Sequence, residues 1–365
     1  MALHIGLARF TYGVMLPALK RDLALDYFGG GLLNAVHLLG YLAGTLAAPL
    51  LARRVGMAAL SRGAHALVAA GALACAVVPE ASALGLPLLA LGRIATGLGA
   101  GAAIVAILVI TFAAVPMASR SSASALVWSG MGFAVVVSGA AAGVLVETAF
   151  GWRAAFLVAA ALAALLAFVF PPAGTADEGG ATAPVRLRSP GLFLVAAYLM
   201  FGAAYIAYAT FAGTRLAAAG ASIAAVSAMW ITFGTAMIAG SALSFAVLRL
   251  EGRRRLALFA ALLLGALGSW ASWTEFPGAA LAGALLVGAG LSSTPTIVTA
   301  YVRERCSAEE YPQAFSFATA VMGIGQLLGP LAAGALADRL GVEAVALFAA
   351  AVYGLGAALA AVDRR

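Results

Sequence analysis

The chain has 365 residues, of which 64% are hydrophobic and 10% are charged, and its formal net charge is +7. Its mean hydropathy is +1.05, whereas a soluble domain is about 45–50% apolar and about 25% charged. This composition excludes an ordinary soluble enzyme, a disordered chain and a disulfide scaffold. The basic residues fall between apolar runs instead of forming the basic patch of a nucleic-acid binder. The composition therefore indicates an integral membrane protein.

Apolar segments separated by charged residues or by Pro and Gly run through the whole chain. A helix that crosses the hydrocarbon core needs about 20 apolar residues. The breaks predict an all-α integral membrane protein with twelve transmembrane helices, at 2–19, 29–52, 60–79, 84–112, 123–147, 153–170, 190–213, 222–247, 254–274, 278–301, 313–336 and 342–361.

A polar stretch divides these helices into two groups of six. Residues 171–189 are rich in Gly, Pro, Ala and Thr, which is typical of a flexible linker. The sequence GVLVE at residues 143–147 is similar to GALAD at residues 334–338, at the same end of the fifth helix of each group. We therefore predict two pseudo-symmetric six-helix bundles, 1–170 and 190–365, joined by a linker at 171–189.

Lys and Arg are concentrated on one side of the predicted helices, and this bias predicts the orientation. If both termini are cytoplasmic, the outer loops contain only Lys20, Arg21, Arg153, Arg215 and Arg339. The cytoplasmic segments then contain fourteen basic residues: Arg53, Arg54, Arg62, Arg120, Arg186, Arg188, Arg249, Arg253, Arg254, Arg255, Arg303, Arg305, Arg364 and Arg365. We therefore expect a multi-pass protein of the bacterial inner membrane with both termini and the linker in the cytoplasm.

Arg9 lies near the middle of the first predicted helix, too deep for its guanidinium to reach an interface easily. A charge at that depth costs about 2.5–3.5 kcal/mol on insertion scales and normally faces a cavity or a partner. One interpretation is a structural arginine bonded to backbone carbonyls. The other is a cavity arginine that pairs with an anion, because its planar fork fits a carboxylate or phosphate.

Two further groups of polar residues share a helix face. Asn34, His37 and Tyr41 follow helical spacing in the second helix, and Tyr205 and Tyr208 are three residues apart in the seventh. Such faces either line a cavity or form interhelical hydrogen bonds of about 1 kcal/mol each. His37 is a candidate proton carrier, since histidine titrates near neutral pH. No Asp or Glu lies deep in a predicted helix.

Several motifs resemble the major facilitator superfamily, and within it the YbfB/YjiJ-like branch of bacterial transporters. They cover most of the chain: GLARFTY at 6–12, GLLN at 31–34, LGYLAG at 39–44, RIATGLGAG at 93–101, GWRAAF at 151–156 and GQLLGP at 325–330. The loop after the second helix departs from the superfamily pattern, because Pro49 and Arg53 replace its Gly and Asp.

This resemblance implies a secondary transporter that works by alternating access, not an enzyme, and implies that Arg93 handles substrate or protons. Substrate-binding candidates are Arg9, Tyr12, Asn34, His37, Tyr41, Arg93, Trp128, Tyr205, Tyr208 and Gln326. Gating candidates are Glu147, Arg153, Asp338 and Arg339, with solvated loop positions as the alternative for the two acids.

The favoured substrate is a small organic anion, because the deep charges are basic. The alternatives are proton-driven efflux of amphipathic drugs and, less favoured, a non-transporting membrane receptor. Coupling to protons is left open. The expected partners are the small-molecule substrate and the lipid bilayer, without nucleic acid, cofactor or metal, and the protein is expected to be a monomer.

Overall fold

The computed structural model describes residues 2–79, 84–116, 120–169, 189–248, 252–274, 276, 278–307 and 310–363. All regular secondary structure in these residues is helical. The twelve helices are α1 Ala2–Asp22, α2 Tyr27–Val55, α3 Met57–Ala76, α4 Gly85–Ala114, α5 Arg120–Glu147, α6 Arg153–Val169, α7 Leu192–Ala218, α8 Ile223–Leu248, α9 Arg254–Trp273, α10 Ala279–Arg305, α11 Tyr311–Leu340 and α12 Ala344–Val362.

The prediction of twelve helices is confirmed, and each helix end lies within five residues of its predicted position. Among the described residues, eleven of the helices are long and apolar enough to cross a membrane, and α6 is a shorter apolar helix of 17 residues. The first nine residues of α1, Ala2–Phe10, are wound as a π-helix. The location of the termini stays a prediction.

The helices form two sets, which we call the first set (α1–α6) and the second set (α7–α12). In the first set α4 packs on α2 and α3, α3 on α6, and α1 on α5. The same pairings recur six helices later, where α10 packs on α8 and α9, α9 on α12, and α7 on α11. This recurrence agrees with the repeat in the sequence. The predicted linker lies almost wholly outside the described residues, so the domain boundaries stay a prediction.

The two sets meet mainly through three helix pairs, α2 with α11, α5 with α8, and α1 with α7. Of the two ends of the helix assembly, we call one the Asp338 end, where α1, α5, α7 and α11 finish and α2, α8 and α12 begin. The other is the Arg305 end, where α2, α4, α8 and α10 finish and α5, α9 and α11 begin.

Glycine allows α2 and α4 to touch backbone to backbone. A Cβ atom at Gly97 would overlap the carbonyl oxygen of His37, and one at Gly101 would overlap that of Tyr41. Small residues permit this approach between membrane helices, where packing replaces the hydrophobic effect as the attraction. The contact fixes His37 and Tyr41 relative to α4.

The Arg305 end of the second set is held by a buried ion pair. Arg305 lies 2.8 Å from Asp363, which is 3% exposed, and the hydroxyl of Tyr301 donates to the same carboxylate at 2.9 Å. Arg305 also donates to the carbonyl of Pro190 at 3.2 Å. These bonds tie the chain just before α7 to the ends of α10 and α12.

Candidate functional site

Arg9 lies between the two sets of helices, 7% exposed, at the end of the π-helical segment of α1. Its Nη2 donates to the hydroxyl of Tyr205 on α7 at 2.7 Å, and its Nε is buried without a hydrogen-bond partner. No carboxylate pairs with it in the described part of the chain. Among the described residues no backbone carbonyl accepts a hydrogen bond from Arg9, whereas its interpretation as a structural arginine expects such bonds.

Aromatic rings surround this guanidinium. Its Cζ lies 5.7 Å from the ring centroid of Phe10, 5.9 Å from that of Tyr41 and 5.8 Å from that of Tyr205. Gln326 on α11 donates to the same Tyr205 hydroxyl at 2.6 Å. The structure therefore brings together four predicted substrate-binding residues, Arg9, Tyr41, Tyr205 and Gln326, from both sets of helices.

Arg93, the second deep arginine, has a different environment. It is fully buried, and each of its three side-chain nitrogens donates a hydrogen bond. The acceptors are the carbonyl of Ala8 at 2.7 Å, the carbonyl of Leu33 at 3.4 Å and Asn34 Oδ1 at 3.4 Å. The guanidinium also lies 4.4 Å from the ring centroid of Tyr12. Arg93 thus joins α4 to α1 and α2 inside the first set.

Asn34 connects this group to the second set. While its Oδ1 accepts from Arg93, its Nδ2 donates to Thr210 Oγ1 on α7 at 2.6 Å. His37, one turn further along α2, is fully buried and has its Nδ1 3.1 Å from Thr96 Oγ1 and 3.2 Å from the Arg93 carbonyl. Both contacts are interhelical hydrogen bonds, which was the alternative to a cavity lining.

The remaining predicted substrate residues lie elsewhere. Tyr12 donates from its hydroxyl to the carbonyl of Gly30 at 2.7 Å and so ties α1 to α2. Tyr208 lies 3.0 Å from Ser272 Oγ and lines a small cleft with Arg215, inside the second set. The side chain of Trp128 lies outside the described residues.

Asp338 lies where α11 meets the start of α2. Its Oδ1 accepts the backbone N–H of Tyr27 and its Oδ2 accepts that of Phe28, both at 2.8 Å. Asp26 accepts the N–H of Gly29 at 2.6 Å. Together the two acids satisfy three of the four N–H groups that the first turn of a helix leaves without partners. Asp338 therefore makes a direct bond between the two sets.

The other gating candidates differ from Asp338 in their surroundings. Glu147 and Arg339 are exposed at the ends of α5 and α11. Arg153 donates to the carbonyl of Val78 at 3.0 Å and lies 4.4 Å from the ring centroid of Trp152, both of which belong to the first set. For Glu147 the arrangement agrees with a solvated acid.

Trp230 fills a slot between the sets near the Asp338 end. A Cβ at Gly13 would lie 3.2 Å from its indole ring, one at Gly139 2.8 Å from its Cβ, and one at Gly213 3.0 Å from its Nε1. The side chain is 1% exposed and packs on Phe233 with a centroid distance of 5.6 Å. Trp230 thus contacts α1 and α5 of the first set from α8.

Over residues 1–362 the chain matches the family described as "Uncharacterised MFS-type transporter YbfB". The chain belongs to this family. It is therefore a multi-pass membrane protein of the major facilitator (MFS) transporters, and the predicted resemblance is confirmed. A relative described as "Chloramphenicol resistance protein" from Streptomyces lividans is 30% identical over 348 residues, which cover 90% of this chain and 85% of the relative.

Solved structures of MFS transporters share the fold. The D-xylose–proton symporter has a TM-score of 0.77 at 17% identity and covers 99% of this chain and 95% of its own. A bacterial homologue of the human lysosomal transporter Spinster, solved in an inward-facing and occupied conformation, has a TM-score of 0.72 at 16% identity. That match covers 98% of this chain and 93% of the homologue. At these identities the likeness extends to the fold alone.

Two residues of this transporter were not among the predicted site residues. Thr210 is the acceptor for Asn34, and Trp230 is the indole in the glycine slot. The signal for Thr210 was its position two residues after Tyr208 on a tyrosine-bearing helix. The signal for Trp230 was a large aromatic residue in a small-residue chain, but its partners Gly13, Gly139 and Gly213 come from three other helices and share no sequence motif.

Proposed function

We propose that this protein is a secondary active transporter that carries a small organic anion across the bacterial inner membrane by alternating access. This proposal rests on the incomplete hydrogen bonding of Arg9 and on its lack of a carboxylate partner. Arg9 is a buried guanidinium between the two sets of helices, hydrogen-bonded through Nη2 alone, with its Nε unpaired and no carboxylate partner among the described residues.

A bound anion would supply the counter-charge and the hydrogen-bond acceptors that Arg9 lacks. A buried cation without a counter-ion is unfavourable in a membrane protein and normally marks a substrate pathway. A carboxylate or similar oxyanion would accept the unpaired N–H groups in a charge-assisted, two-point contact. Because Tyr205 and Gln326 belong to the second set, an anion held at Arg9 would contact both sets, as alternating access requires.

The arrangement supports an inward-facing state, with the Asp338 end on the periplasmic side. At that end the sets are joined by Asp338, by Trp230 in its glycine slot and by the close approach of α1 and α7 at Gly13 and Ala209. Toward the Arg305 end, the described residues of α4 and α10 make no extensive contact with each other. We propose that Asp338 is a latch that opens when the transporter turns outward.

Export of an amphipathic drug is the second candidate. The Streptomyces lividans relative favours it, since that protein is described by chloramphenicol resistance and is 30% identical over most of this chain. The rings of Phe10, Tyr41 and Tyr205 would also suit a neutral aromatic compound. In this alternative Arg9 does not select the charge of the ligand.

A thermal-shift screen of the purified protein against carboxylates, amino acids, sugars, dyes and chloramphenicol tests the two candidates. A ligand that binds the folded state raises the melting temperature by mass action. The anion proposal expects stabilisation by organic anions in the parent and its loss in Arg9→Gln. Stabilisation by chloramphenicol alone, unchanged in Arg9→Gln, would support drug export and overturn the anion proposal.

The orientation has its own test. Because basic residues are concentrated on one side, reporters fused after residue 365 and inserted in the 171–189 linker should both report a cytoplasmic position. A reporter in the loop between α3 and α4 should report a periplasmic one. A periplasmic linker would contradict the orientation and with it the placement of the Asp338 latch. We propose a monomer in the inner membrane, with proton coupling left open.

A further inference from the structure

The surroundings of Arg9 limit the kind of anion that this site can take. We infer that the substrate carries one negative charge on a group joined directly to a planar ring, as in an aromatic monocarboxylate. The inference rests on the proposed function and adds to it the charge number and the shape of the substrate.

The limit to one charge follows from the contrast between the two deep arginines. All three nitrogens of Arg93 already donate to oxygen atoms, and its face lies on Tyr12. Arg9 donates through Nη2 alone. Arg9 is thus the deep arginine among the described residues that has nitrogens without an acceptor, and these can donate to a ligand.

Two more distant cations, Arg215 and Lys20, already have partners of their own. Arg215, near the Asp338 end, is paired with Glu343 at 2.9 Å. Lys20 donates to the carbonyl of Leu25 at 2.6 Å and lies 4.0 Å from the ring centroid of Tyr27. A second anionic group on the substrate would therefore find no further cationic nitrogen without an acceptor to bind it, and would enter the site at a large desolvation cost.

The requirement for a ring follows from the walls around the guanidinium. Phe10, Tyr41 and Tyr205 all have ring centroids within 5.9 Å of Arg9 Cζ, so the atoms next to a bound carboxylate must lie against aromatic faces or edges. Phe201 extends this wall, with a centroid 4.8 Å from that of Tyr205. Aromatic pairs in such geometry contribute more than their buried area alone.

Isothermal titration calorimetry on the full chain in lipid nanodiscs at pH 7 tests the inference with four probes. Benzoate should bind, and phthalate, its dianionic analogue, should bind at least about tenfold more weakly. Cyclohexanecarboxylate keeps the charge without the planar ring and should bind about three- to tenfold more weakly. Benzyl alcohol keeps the ring without the charge and should bind about ten- to a hundredfold more weakly.

Variants assign each effect to its residue. Arg9→Gln should weaken benzoate about ten- to a hundredfold, and the matched control Arg62→Gln, at an exposed position on α3, should leave it unchanged. Tyr41→Leu should remove most of the preference for benzoate over cyclohexanecarboxylate, whereas Tyr41→Phe, which keeps the ring, should retain it. Circular dichroism checks that each variant is folded.

The outcomes separate the inference from the proposed function. If phthalate or cyclohexanecarboxylate binds as tightly as benzoate, and binding still needs Arg9, the inference is wrong and the anion proposal stands. If benzyl alcohol binds while no carboxylate does, both are wrong. Absence of benzoate binding alongside Arg9-dependent binding of an aliphatic carboxylate likewise overturns the inference alone.

Discussion

Polar contacts inside the first set differ in kind from those that join the two sets. Inside the first set, Arg93 is enclosed and all its nitrogens have acceptors on α1 and α2. Between the sets, Arg9 with Tyr205, Asn34 with Thr210, and Asp338 with the start of α2 each contribute one or two bonds. A saturated network stabilises a rigid unit, whereas a few separate bonds can break together when two units move.

The difference indicates which substitutions should unfold the protein and which should shift its conformation. If each set moves as a rigid unit, contacts within a set persist in every state, so their loss should lower the stability of all states. Under the proposed alternating access, contacts between the sets at the Asp338 end would be present in one state only, so their loss should change the ratio between states.

The largest effect is expected at Arg93. Arg93→Ala removes three hydrogen bonds and the packing on Tyr12 and leaves a cavity, so we expect a loss of about 3–5 kcal/mol in the free energy of unfolding. Arg9→Ala removes one hydrogen bond and an unpaired charge and should cost about 1–2 kcal/mol. Chemical unfolding in mixed micelles measures both. Equal losses would remove the distinction between a structural and a ligand-binding arginine.

A smaller effect is expected from filling the slot between the sets. A Cβ in Gly13→Ala would overlap the carbonyl of Ala209 and press on Trp230. Overpacking of this kind costs about 1–3 kcal/mol, and here it should act against the state in which the Asp338 end is closed. Spin labels at the exposed Ala24 and Arg339 would report a longer distance by double electron–electron resonance.

Gly143→Ala is the matched control for this steric test. Its Cβ would lie 3.9 Å from Ile223, an ordinary contact, so the label distance should remain that of the parent. A lengthened distance in the control as well, or an unchanged one in Gly13→Ala, would show that the slot does not govern closure.

Loss of the Asp338 latch should shift the conformational equilibrium as much as Gly13→Ala does, or somewhat less. Asp338→Asn removes the charge and leaves a single oxygen for two backbone N–H groups, which should cost the closed state about 1–2 kcal/mol. The population with separated labels should then rise about five- to thirtyfold. Glu147→Gln, at the equivalent end of α5, changes an exposed acid and should shift the population by less than about twofold. Identical behaviour of the two variants would rule out a latch at Asp338.

The smallest effect is expected for Asn34 and Thr210. A double-mutant cycle with Asn34→Ala and Thr210→Val should give a coupling of about 0.6–1 kcal/mol in the equilibrium between conformations. Thr11 and Ser138, whose side-chain oxygens lie 2.7 Å apart within the first set, provide the comparison. Their cycle should affect the free energy of unfolding and leave the conformational ratio unchanged. The reverse pattern would contradict the division between the two kinds of contact.

Local sequence signals predicted much of the architecture, for a physical reason. In a membrane, each helix must satisfy its own backbone and present apolar side chains, so length and hydropathy alone locate the helices. The depth of Arg9 was equally evident, because depth depends only on position within a span. The short motifs also identified the family, since residues such as Gly325 and Gly334 recur where helices pack closely.

The same sequence signals did not predict which residues each buried polar side chain contacts. Arg9 and Arg93 are both deep arginines in apolar helices, and their sequence neighbourhoods do not tell which one has an acceptor at every nitrogen. That depends on whether the carbonyls of Ala8 and Leu33 reach the guanidinium, which follows from how α1, α2 and α4 pack. The role of His37 depended likewise on the position of Thr96.

By itself, the amino-acid sequence determined the number of helices, their approximate ends, the duplication and the presence of a deep cation without a deep acid, because these depend on distances of a few residues along one chain. Only the tertiary structure decided that Asn34 reaches Thr210, that Asp338 binds the N–H groups of Tyr27 and Phe28, and that Trp230 lies against three glycines. The first two contacts join residues 176 to 311 positions apart, and the third brings four helices to one point. Such contacts follow from the packing of whole helices, which no local pattern specifies.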